Sequence, residues 1–137
     1  DAIAGQMRDA GLKVARKVLP AATFWNNWTS YPFSCTEWLG RPLGVQVLAL
    51  AYKSGVPWNE SGFSDPEFDA LLEQALATPD PDQRRVIMAD LERILRDAGV
   101  IIQPYWRSVY RTYRPGVHGC EQHQALEQHF DQAWIES

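Results

Sequence analysis

Residues 58–106 read WNESGFSDPEFDALLEQALATPDPDQRRVIMADLERILRDAGVIIQPYW, and their spacing settles most of the local structure. Ser64 is the predicted N-cap of a first helix, and Glu67 three residues on completes a capping box. Phe63 and Phe68 stand at the two positions of a hydrophobic staple. Phe68, Leu71, Leu72, Ala75 and Leu76 recur at helical spacing and predict one apolar face. Asp80 is the predicted cap of a second helix, with Pro81 at its first position and Gln83 at its third. Ile87, Leu91, Ile94, Leu95 and Ala98 form that helix's stripe, and Gly99 supplies its stop. Val100, Ile101 and Ile102 then predict a short buried strand.

Outward from this stretch the pattern is mixed. Ala2, Ile3, Met7 and Ala10 predict a first helix ended by Gly11, and Leu12–Val18 alternates like a strand. TFWNNW at 23–28 predicts a short helix, and Phe33–Trp38 a second strand, so the opening reads as a βαβ unit with parallel pairing. Leu43–Lys53 is apolar and suits a helix or a buried strand, with helix favoured. From Pro104 the chain changes to PYWRSVYRTYRPGVHG, in which aromatic and basic residues interleave.

Composition bounds the function. The 137 residues are 45% hydrophobic and 12% aromatic, enough for a globular core. The net charge of −4 and the lack of a polybasic run argue against nucleic acid or an anionic membrane as partner. The longest apolar run, near Val45–Ala51, is far too short to span a bilayer. Cys35 and Cys120 allow one disulfide or two free thiols, and the sequence leaves both open.

The run SDPEFDALLEQALATPDPDQRRVIMADLERILRDAGVIIQPYW resembles the C-terminal part of the extracellular solute-binding proteins of family 5, the dipeptide/oligopeptide receptors of ABC transporters. The resemblance covers roughly residues 58–106, is weaker over 1–41 and is thin after 113. It implies an α/β chain that is part of a periplasmic-binding-protein-like (type II) two-lobed fold, mostly the second lobe. Residues 1–103 would be the α/β portion of that lobe, and 104–137 the segment returning toward the first. Family members are several times longer, so the chain is expected to be a fragment.

The implied function is solute capture in an inter-lobe cleft, in the periplasm or outside the cell, and delivery to an ABC permease in the membrane. The solute would be a peptide or a related molecule. In dipeptide-type relatives a G-W-x-G-D passage lines the cleft, with its Asp on the ligand's α-ammonium. Here Thr36–Arg41 reads TEWLGR: Trp38 and Gly40 match, Glu37 replaces the first Gly, and Arg41 stands in place of the Asp. A guanidinium favours a carboxylate or phosphate, so an anionic solute is expected. Glu37 could restore a negative group, although on a strand it faces away from Trp38; alternatively Glu37 and Arg41 simply pair with neighbours. Trp25 and Trp28, spaced i, i+3, either reach the cleft or pack in the core. Trp38, Arg41, Glu37, Trp25 and Trp28 are thus the candidate ligand-binding residues.

No catalytic residue is assigned: nucleophile elbows, phosphate loops and His-Glu-x-x-His are all missing, and the acidic residues at helix starts have a capping account. His118, Cys120, His123 and His129 fit no strong metal-ligand spacing, so neither metal nor cofactor is expected. The competing class is a stand-alone interaction module with an aromatic binding surface. As an isolated piece of a receptor, the chain would expose its inter-lobe face, which favours dimerisation or swapping of the tail.

Overall fold

The computed structural model describes residues 1–123 and 127–136. It divides into two compact units, Asp1–Tyr31 and Pro32–Ser137.

In the first unit, helix α1 (Ala2–Asp9) ends as its glycine dictates. Gly11 takes φ 88°, and the N–H groups of Gly11 and Leu12 donate to the carbonyls of Arg8 and Met7, closing the last turn. Leu12–Val18 joins no helix or ladder, and Leu12 and Val18 are exposed. The TFWNNW segment forms α2 (Ala21–Trp25) followed by a 3-10 turn, Trp28–Ser30.

The second unit is built on three helices: α3 (Gly44–Ala51), α4 (Pro66–Ala77) and α5 (Pro81–Asp97). The segment 43–53 is therefore helical, and the side chain of Gln46 accepts from the Leu43 N–H at its start. α4 packs against both α3 and α5. The core consists of Val45, Leu48, Ala51 and Tyr52 from the α3 region, Phe68, Leu72 and Ala75 from α4, and Leu91 and Leu95 from α5. Phe68, Leu72 and Leu91 are wholly buried, each contributing roughly 1.5–3 kcal/mol of apolar transfer. Leu76 and Ala98, at the edges of the two apolar stripes, are exposed.

The cap of α4 differs from the sequence expectation by one residue. Asp65, not Ser64, is the N-cap: its Oδ1 accepts from the N–H groups of Glu67 (2.8 Å) and Phe68 (3.0 Å). The cause is Pro66. Proline's fixed φ and missing N–H suit the first helical position, which puts the cap on the residue before it. The Asp80–Pro81 pair starts α5 in the same way, with bonds to Asp82 and Gln83 of 3.0 and 2.8 Å. Phe63 and Phe68 still meet edge to face, with centroids 5.2 Å apart. Between the helices, Thr78 is held extended ahead of Pro79, and Arg84 donates to the carbonyls of both residues.

α5 ends at Gly99, φ 64°, with Gly99 and Val100 N–H groups on the Arg96 and Leu95 carbonyls. This turn sends Val100 against the core, while Ile101 and Ile102 are exposed and no ladder pairs the segment. The strands expected at 12–18, 33–38 and 100–103 thus do not form, nor does a parallel βαβ pairing among the described residues. Alternation marks an extended face, but a strand also needs a neighbour for its N–H and C=O groups. The sheet that is present is antiparallel: β1 (Val117–His118) pairs with β2 (Trp134–Ile135), in the register Val117 to Ile135 and His118 to Trp134. Among the described residues, no helix is long and apolar enough to cross a membrane.

Candidate functional site

The alternation of Phe33–Leu39 survives in the side-chain directions even without a ladder. Ser34, Thr36 and Trp38 are half-buried, whereas Phe33, Cys35, Glu37 and Leu39 are exposed. The inward three converge on one carboxylate, Glu60. Thr36 Oγ1 donates to Glu60 Oε1 at 2.7 Å, Trp38 Nε1 to the same oxygen at 3.3 Å, and Ser34 Oγ to Oε2 at 3.5 Å. Donors of this kind fix both the carboxylate and the plane of the indole.

Glu60 sits in a pinned loop. Asn59 Nδ2 donates to the carbonyls of Lys53 (3.1 Å) and Phe63 (2.8 Å), and the Ser54 N–H bonds Asp69 Oδ1 at 3.0 Å. An ion pair between Lys53 and Glu73 ties the same turn to α4. On its inner side, Tyr52 is buried; this burial, and secondly the nearby Glu60 charge, push its hydroxyl up to about 12. The indole of Trp38 meets that of Trp58 at 6.0 Å and 59°, and Trp58 stays exposed on its far side. The result is an aromatic platform tied to the helical core by a polar knot.

Arg41, three residues beyond Trp38, is half-buried and forms no hydrogen bond or ion pair with another described residue. Glu37 points to the opposite side from Trp38 and pairs with Arg107, Oε2 to Nη1 at 2.5 Å. The neighbour-pairing alternative therefore describes Glu37 and not Arg41. Trp25 and Trp28 lie in the first unit, where they touch edge to face at 5.9 Å. Phe24 completes that cluster, stacked on Tyr31 at 5.6 Å and edge-on to Trp25 at 5.1 Å. Trp25 remains half exposed. Cys35 and Cys120 are free thiols.

Sequence reading passed over Glu60 because its role comes from partners more than twenty residues away in the chain. One signal was available: Ser34-x-Thr36-x-Trp38 puts three donors on one face of an extended segment, which demands an acceptor. The aromatic and basic segment after Ile102 is exposed through Tyr110, with Trp106 88% and Tyr110 85% accessible. Nothing positive in this arrangement indicates an enzyme.

Comparison with protein-family models, with curated proteins and with solved structures finds no match.

Proposed function

We propose that this chain is second-lobe material of a peptide-type solute receptor for an ABC importer, working in the periplasm or outside the cell. Trp38 supplies the wall of its site and Arg41 the charge that reads an anionic solute. The observation that carries the proposal is Arg41 itself. A half-buried guanidinium without an acceptor among the described residues suits a planar carboxylate or a phosphate, which it binds through two parallel N–H donors. Trp38, locked by Glu60, offers a surface that needs no reordering on binding, which limits the entropic cost. Capture by such a receptor requires closure around the solute and no covalent chemistry.

A thermal-shift screen of the full-length parent receptor against peptides, acidic amino-acid conjugates and oligosaccharides, run with the wild-type sequence and with Arg41→Asp, tests this. Anionic solutes should raise the melting temperature of wild type, and the shift should disappear in Arg41→Asp. Equal shifts in both proteins, or none with any class, would contradict the proposal.

A second reading is favoured by the exposed segment 101–113, where Ile102, Tyr105, Trp106 and Tyr110 present apolar surface. A stand-alone module that binds a protein partner through aromatic residues would use such a face. It requires no solute effect at Arg41, so the same screen separates the two.

A further inference from the structure

We propose that the tail of this chain holds a divalent transition-metal ion of the zinc class, on His123, Glu127 and His129. The three residues offer one ligand atom each, all within 4.8 Å of one another. Glu127 Oε2 lies 3.8 Å from His123 Nδ1 and 3.3 Å from His129 Nε2. Donors in a tetrahedral shell with bonds of about 2.1 Å stand about 3.4 Å apart, so these separations bracket the required value. The two imidazole rings meet edge to face at 5.3 Å.

The donor set selects the ion. Two imidazole nitrogens and one carboxylate oxygen suit zinc, nickel, copper or cobalt, whereas magnesium and calcium prefer all-oxygen shells. All three ligands are exposed, so a fourth position would stay open to water or to an incoming donor atom.

The surroundings hold these residues in place. The antiparallel pair of β1 and β2 closes the two ends of the tail loop, and His118 stacks on Trp134 at 4.1 Å and 17°. Gly119 lies so close to the opposite strand's approach that an added Cβ would fall 2.0 Å from the Gln132 carbonyl oxygen. From inside the loop, Arg111 donates to the carbonyls of Cys120 (3.1 Å), Glu121 (3.2 Å) and Glu127 (3.2 Å). One guanidinium therefore clamps the backbone at Glu127 itself and two residues before His123. The close packing at Gly119, the strand pair and the clamp all restrict the described backbone on either side of these ligands.

Calorimetric titration of the tag-free chain with zinc, together with cobalt absorption spectra, tests the site. One ion per chain is expected, with cobalt d–d bands and no thiolate charge transfer, and Cys35→Ser/Cys120→Ser should bind as wild type does. His123→Ala, His129→Ala and the near-isosteric Glu127→Gln should each weaken binding by at least about tenfold, with helical circular dichroism unchanged. Binding that survives loss of either histidine, that disappears with the cysteines, or that requires two chains per ion would overturn the proposal. So would the absence of any binding.

Discussion

Tyr52 carries the clearest pH signature of a single residue. Its hydroxyl ordinarily titrates at 10 and is pushed up to about 12 by burial and, secondly, by Glu60. The folded state thus favours the neutral phenol. The stability this contributes is fully present below pH 10 and is lost as pH rises toward 12, because the unfolded chain releases the proton first. A shift of this size corresponds to roughly 2–3 kcal/mol. Denaturant unfolding between pH 9 and about 12 should show wild type losing more stability than Tyr52→Phe, by about that amount. A second residue-scale expectation concerns Gly119, whose φ of 71° and contact with the Gln132 backbone exclude a side chain. Gly119→Ala should cost on the order of 1–3 kcal/mol locally. It should unpair β1 from β2, read as faster amide exchange at Glu136, whose N–H bonds Gly116 O at 2.8 Å, with the three-helix core unaffected.

At the scale of elements, stability resides in caps and in one apolar layer. Asp80→Ala removes the acceptor for two N–H groups of α5 and should cost about 1 kcal/mol in chemical denaturation. Leu72→Ala empties a wholly buried position of the core and should cost about 2–5 kcal/mol. These elements were legible in the sequence because their determinants are local. Asp-Pro pairs, helical spacing and Gly99 act within a few residues, and even the misplaced cap at Ser64 erred by one position. Strands were not legible in that sense. The alternation of Leu12–Val18 and the apolar run of Val100–Ile102 are real, but pairing depends on a distant partner that local pattern cannot name. Segment 33–39 lies between these cases: no strand forms, yet burial alternates along it, with Trp38 half-buried and Glu37 exposed. The acceptor that its inner face requires could not be located without the fold, because Glu60 arrives from a loop beyond α3. The β1–β2 pair rests on two residues per strand, too short for any period to register.

Across the molecule, the second unit has a closed helical core and a long exposed surface beside it. Ile101, Ile102, Tyr105, Trp106, Val109, Tyr110 and Tyr113 are all exposed, and contiguous apolar surface of this kind marks an interaction site. Such a face should make the chain self-associate. Sedimentation velocity should show concentration-dependent association that Trp106→Ser/Tyr110→Ser weakens; a monomer at all concentrations would contradict this. Affinity of the isolated chain for a solute should be low, since the proposed site holds one wall and one charge. Nuclear magnetic resonance detects such weak binding and locates it. The most direct measurement is therefore a titration of the isotopically labelled chain with a free dicarboxylate and an acidic dipeptide, following the Trp38 indole N–H and the Arg41 guanidinium. The account predicts saturable shifts at both groups that vanish in Arg41→Asp while the Trp106 and Trp134 indole signals stay in place. Shifts spread over all the indoles, or unchanged at Trp38 in Arg41→Asp, would contradict it.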